Sequence, residues 1–113
     1  MNDFSVTVRT VAAGVVLTIR GDLDAHTSPG VLARTGELSL SRGQLLVVDL
    51  SGLRFCDSSG ISAFIAARNL AVGAQADVVL VAVPRQVLRV LDVVGLGALF
   101  TVRSSVEDAL SGR

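Results

Sequence analysis

A chain of 113 residues is near the commonest size for one compact domain and too short for two with separate cores, so a single domain over 1–113 is expected. Half of its residues are hydrophobic, yet the longest apolar stretches, such as Val78 to Val83 and Val93 to Phe100, fall well short of the roughly 18 residues of a membrane span. Ten arginines balance ten acids and lysine is absent, which argues against a nucleic-acid partner and excludes a P-loop of the usual kind and a Schiff-base lysine. The start, Met1-Asn2-Asp3-Phe4-Ser5, lacks the basic region and following apolar run of a secretory signal. One cysteine, Cys56, cannot close an internal disulfide, and with His26 alone it supplies too few ligands for a metal cage. A soluble protein in a reducing, cytoplasmic setting, with no metal and no cofactor, is the expectation.

Phe4, Val6 and Val8 alternate with Ser5, Thr7 and Arg9, and Val15, Leu17 and Ile19 alternate with Val16, Thr18 and Arg20. Such period-two patterns predict two half-buried strands, joined through Ala13-Gly14 as a hairpin. Capping groups in Asp24-Ala25-His26-Thr27-Ser28, followed by Pro29, predict a helix from about 27 to 41, weakened by Gly30 and Gly36. Gln44 to Leu50 is apolar on both alternating sets, as a central strand covered on both faces should be. A loop from Ser51 to Cys56 then leads to an alanine-rich segment with helical spacing at Ile61, Phe64, Ile65, Arg68, Leu70 and Val72, ending near Gly73. Asp77 to Val83 reads as another buried strand. Pro84 opens a helix carrying Val87, Leu88, Val90 and Leu91 that closes near Gly95; Phe100 to Arg103 gives a short strand and Ser105 to Leu110 a last helix. The order implies an α/β fold, a mixed sheet of about four to five strands with flanking helices.

The stretch Phe55-Cys56-Asp57-Ser58-Ser59-Gly60-Ile61-Ser62 stands out. The plain reading is a helix cap, because the first N–H groups of a helix lack internal partners and Asp57 or Ser58 could accept from them, with Ser59 a further candidate cap. One cap suffices for one helix, however, and Gly60 weakens the helix by about 0.8–1 kcal/mol relative to alanine, so bare backbone there suggests close approach by another molecule. A hydroxyl at a helix N-terminus lies where the backbone dipole favours an anion. A phosphate on Ser58 would therefore be tolerated by its own fold while presenting a partner with about −1.5 to −2 of new charge.

With Gly21-Asp22-Leu23-Asp24 after the second strand, Val48-Asp49-Leu50-Ser51-Gly52-Leu53 leading into Asp57-Ser58-Ser59-Gly60, and Pro84 to Leu91 followed by Asp92-Val93-Val94-Gly95-Leu96, the chain resembles the STAS domain of bacterial anti-sigma factor antagonists. The resemblance implies a non-enzymatic partner switch. Unphosphorylated, the domain binds an anti-sigma factor that is also an ATP-using serine kinase and so frees a sigma factor; phosphorylated at Ser58 it lets go, until a serine phosphatase of the metal-dependent type restores it. Partner contacts implied by the motif are Asp24, Asp57, Ser58, Ser59, Gly60 and Ile61, with Asp24 expected to be a strand-end acid that the fold itself can spare. Cys56 stands where a methionine or other apolar residue is common in the family, a mild exchange for a small hydrophobe, and Ser62 where glycine or another small residue is frequent.

Other readings compete. His26, Asp49 or Asp57, and Ser58 could be drawn as a hydrolase triad, though no Gly-x-Ser-x-Gly elbow is present and a capping Ser58 would have its hydroxyl occupied. Asp22 and Asp24 would share one face of an extended segment, as a solvated strand end or a binding pair. A STAS fold can also serve as a constitutive interaction module, such as a small subunit of a lipid-transport ATPase complex or a signalling scaffold, without phosphorylation. Nucleotide binding has no support, since there is no Gly-rich phosphate loop after the first strand and no tryptophan or tyrosine to stack a base.

Overall fold

The structure is a computed structural model that describes residues 3–111. Alternation builds its first two strands. β1 (Ser5–Val11) and β2 (Gly14–Leu23) form an antiparallel hairpin in which Val6 faces Ile19 and Val8 faces Leu17 on the core side, while Thr7 faces Thr18 on the other. Helix α1 (Ser28–Gly36) follows, and it is shorter than the predicted 27–41. Past Gly36 the N–H of Glu37 donates to Arg34 O at 3.2 Å and that of Leu38 to Thr35 O at 3.1 Å, and the chain continues as a connection whose Leu38 and Leu40 pack against the core.

The second difference matters more for function. β3 spans Leu45–Cys56, so the predicted loop from Ser51 to Cys56 is strand. It stays in the sheet because β2 also runs on beside it: Arg20 lies opposite Gly52, Gly21 opposite Leu53, Asp22 opposite Phe55 and Leu23 opposite Cys56. Register shifts between Thr18 and Arg20 and between Gly21 and Asp22 each absorb one extra residue of β3, as bulges do, without ending the pairing. Helix α2 (Ser58–Gly73) leaves directly from the end of this strand. β4 (Asp77–Val81) stops two residues before the predicted Val83, because Ala82 adopts φ +54 and turns the chain out of the sheet. Helix α3 (Arg85–Val93), a single 3-10 turn (Gly97–Leu99), β5 (Thr101–Arg103) and α4 (Val106–Ser111) complete the chain.

The strands lie in the order β1-β2-β3-β4-β5, the first pair antiparallel and the others parallel. Three helices cover one face, where Val31 of α1, Phe64, Ala67 and Ala71 of α2, and Val87 and Leu91 of α3 join Leu17, Ile19, Leu23, Leu46, Val48 and Leu80 in the main core. The other face carries only α4, whose Ala109 meets Val16, Val47, Val79 and Val81. Burial on both faces explains the apolar run Leu45 to Val48 at the start of β3. The parallel strands β2 and β3 point their C-terminal ends the same way, which brings the turn into α1 beside the start of α2. Ligand and partner sites of parallel sheets gather at such ends.

Candidate functional site

The start of α2 is built from Asp57. Its N–H donates to Leu23 O of the neighbouring strand at 3.2 Å, its backbone is extended (φ −105, ψ −166), and its Oδ1 accepts from Ser59 N at 2.8 Å. Asp57 O takes the N–H groups of Gly60 and Ile61 at 3.0 and 3.2 Å. Asp57 is thus the helix cap, and neither Ser58 nor Ser59 performs that role. The consequence for Ser58 is direct: its side chain is exposed, and among the described residues no hydrogen bond holds its hydroxyl. One turn further, Ser62 is also exposed and donates Oγ–H to Ser58 O at 3.1 Å.

Gly60 corrects the expectation that bare backbone admits another molecule. It is buried, and a Cβ there would lie 2.4 Å from Cys56 Sγ and 2.9 Å from Leu23 Cδ2. Its missing side chain lets α2 settle onto its own sheet. Cys56, half-buried beneath it, donates weakly to Asp57 O at 3.4 Å. Burial, reinforced by the nearby Asp57 charge, pushes its thiol up to about 11, so it packs as a neutral small hydrophobe.

Asp24 is not a spare strand-end acid. Lying just past β2, its Oδ1 accepts from His26 N at 2.9 Å and Thr27 N at 3.1 Å; the single Thr27 hydroxyl proton is shared between Asp22 O at 2.7 Å and Asp24 Oδ1 at 3.2 Å, and Thr27 Oγ1 accepts from Asp24 N at 3.0 Å. These bonds, the Thr27 N–H foremost, hold its carboxyl below the ordinary value against an opposing contribution from burial. Asp24 therefore folds the turn into α1. Asp22 does something separate: it meets Arg54 Nε at 3.5 Å, with Asp3 on the same guanidinium at 3.4 Å, an exposed pairing worth at most about 1 kcal/mol. The two carboxylates thus have different partners within the chain.

The hydrolase triad is not assembled. Asp49 Oδ1 accepts from Ser51 N at 3.0 Å, the Asp57 carboxylate is committed to Ser59 N, and among the described residues no hydrogen bond joins His26 to Ser58.

What the sequence reading missed is the wall opposite Ser58. Between the start of α2 and the flank of α3 runs a groove of about 370 Å³, lined on one side by Cys56, Asp57, Ser58, Ile61 and Ser62 and on the other by Val87, Val90, Val94 and Leu96. Ile61, 9% exposed, forms part of its lining. The signal was available in the sequence, since α3 has more apolar positions than one buried stripe requires. A larger hollow of about 410 Å³ opens at the opposite end of the strands, by Leu45 and Asp77, and contains none of the residues around Ser58.

This α/β fold recurs among solved structures. The fold matches an anti-sigma factor antagonist from Mycobacterium paratuberculosis with TM-score 0.83 at 23% identity, over 97% of this chain and 93% of that one. It also matches SpoIIAA of Bacillus, an anti-sigma factor antagonist, in its unphosphorylated form (TM-score 0.74, 20% identity, 96% and 98% of the two chains) and its phosphorylated form (0.71, 19%, 96% and 100%). The family model of the STAS domain matches residues 5–109, and the chain belongs to that family. A curated relative, the anti-sigma-F factor antagonist RsfB of Mycobacterium tuberculosis, is 30% identical over 98% of this chain and 90% of its own length. Among the described residues no helix is long and apolar enough to cross a membrane.

Proposed function

We propose that this protein is an anti-sigma factor antagonist working by partner switching in the cytoplasm. Its unphosphorylated form docks an anti-sigma factor with serine kinase activity, freeing a sigma factor. That kinase then moves the γ-phosphoryl group of ATP to Ser58 Oγ: the new O–P bond forms as the bond to ADP breaks, and the hydroxyl proton passes to a base on the kinase. A metal-dependent serine phosphatase reverses the step by hydrolysis. The chain itself contributes an acceptor and a surface rather than catalysis.

The observation that carries this reading is the exposed, uncommitted Ser58 hydroxyl beside the apolar groove. Because Asp57 does the capping, Ser58 can gain or lose a phosphate without unmaking the helix start. Docking is expected to cover the groove with apolar side chains of the partner, and a dianion at its lip then opposes that contact through desolvation and charge. Ile61, Val90 and Val94 supply the apolar contact, while Ser58, Ser59 and the nearby Asp24 turn form its polar margin. Gly60 serves from beneath, by setting the depth of α2.

The test uses a cognate ATP-binding anti-sigma factor. Incubation with ATP should add one phosphate mass that disappears in Ser58→Ala. Ser58→Glu should bind the anti-sigma factor more than about tenfold more weakly than Ser58→Ala, as expected for a charge placed at a docked apolar surface. Equal affinities for the two variants, with no mass shift, would replace the switch by a constitutive interaction module.

A further inference from the structure

The phosphate that the proposed switch places on Ser58 needs donors, and the helix start offers few. An α-helix leaves its first N–H groups unpaired, which is why anions bind there. Here Asp57 has taken two of them, Ser59 N on its Oδ1 and Gly60 N on its carbonyl oxygen, and that same oxygen holds Ile61 N in the first ordinary bond of the helix. Asp57 also brings a carboxylate to the same turn. No arginine or histidine side chain lines the groove; its α3 wall is Val87, Val90 and Val94, and its titratable groups are Asp57 and Cys56.

Besides the backbone N–H of Ser58 itself, one side-chain donor lies over that turn. Ser62 lies four residues after Ser58, the spacing at which helical side chains are neighbours, and side chains lean toward the helix N-terminus. Its hydroxyl already lies over that turn, bonded to Ser58 O at 3.1 Å, and both serines line the same groove. That bond is dispensable to the carbonyl, which as a helix acceptor is already served by the N–H four residues on.

We propose that Ser62 is a second ligand of a phosphate on Ser58, its hydroxyl turning from the Ser58 carbonyl to donate to a phosphate oxygen. Ser62 is a positioning residue in this role. It holds the dianion along α2 and favours it over the monoanion, which lowers the second pKa of the phosphate. The inference rests on Ser58 being the acceptor, but its test does not require the kinase.

The full chain is made with phosphoserine genetically encoded at position 58, and its ³¹P shift is titrated across the phosphate's second ionisation, about pH 6 in an unperturbed group. Removing a donor to the dianion raises the pKa, so Ser62→Ala should shift the titration up by about 0.3–1 unit, the effect of a hydrogen bond of ordinary net strength. Ser62→Thr should restore the wild-type value, and Ser59→Ala should leave it in place. Identical titrations for wild type and Ser62→Ala, or an equal shift from Ser59→Ala, overturn the proposal. If no kinase modifies Ser58 the switch reading falls while this titration still decides the role of Ser62. If the kinase works but the titration does not move, only the role of Ser62 falls.

Discussion

Two helix starts sit side by side at the top of the sheet, and they use nearly the same chemistry to opposite ends. Each follows a parallel strand, each is organised by an aspartate whose Oδ1 accepts backbone N–H groups, and each has hydroxyl residues next to that aspartate. At α1 the hydroxyls are sealed in: Thr27 and Ser28 are both 7% exposed, and Thr27 Oγ1 is consumed by Asp22 O and Asp24. At α2 the aspartate does the capping alone and Ser58 remains outside. Residue type does not make an acceptor; the division of labour between an aspartate and its neighbouring hydroxyl does.

The sharpest way to break the α2 arrangement is from beneath. Alanine in place of glycine normally favours a helix by about 0.8–1 kcal/mol, but at Gly60 the added methyl would lie 2.4 Å from Cys56 Sγ. Overpacking of this kind costs about 1–3 kcal/mol, so Gly60→Ala should lower stability in urea titrations, and the loss should shrink in a Cys56→Ala background. An unchanged or raised urea midpoint would mean that the helix does not rest on its sheet as described. Next in size, Asp57→Ala should cost about 0.5–2 kcal/mol, the usual worth of a helix cap, while Ser59→Ala costs less because Ser59 caps nothing. The reverse order would move the cap to Ser59.

The smallest effect belongs to the α1 side and is read as a pH dependence. The Asp24 carboxyl is held below its ordinary 3.8, chiefly by the Thr27 N–H, so the folded state prefers it ionised. That preference is fully present above the unfolded value and is lost as the pH falls through the lowered one. A carbon-13 titration of the Asp24 carboxyl should therefore have its midpoint below 3.8, and Asp24→Asn should remove that part of the acid dependence. A midpoint at or above the ordinary value would show that the turn does not depend on the carboxylate.

Much of this was legible in the sequence where side chains alone decide. Alternation gave the hairpin, two-sided apolarity gave β3 and β4, and Asp57 with its serines marked a helix start. The failures lie where a second segment intervenes. Ser51 to Cys56 reads as a loop because Ser51, Gly52 and Arg54 are poor strand formers, and it becomes strand only because β2 pairs with it past two register shifts. Gly60 reads as an opening toward a visitor, and only the positions of Cys56 and Leu23 reveal it as a packing requirement. Asp24 reads as a free acid because its acceptor bonds depend on the exact fold of the turn it makes. The groove joins helices separated in sequence by a whole strand, so α3 announced its excess of apolar residues without saying what they would face.

The pairing of Leu23 with Cys56 fixes how large any visitor's footprint must be. Adjacent strands are about 4.8 Å apart, whereas a stable protein contact covers on the order of 800 Å² on each side. A protein large enough to grip Ser58 thus cannot avoid the Asp24 turn one rung away, even though that carboxylate is turned inward to its own backbone. Under the proposed switch, substitutions in the Asp24 turn should alter recognition by reshaping ground that the visitor must stand on, and a phosphate on Ser58 would need to change only one corner of that ground to make it untenable.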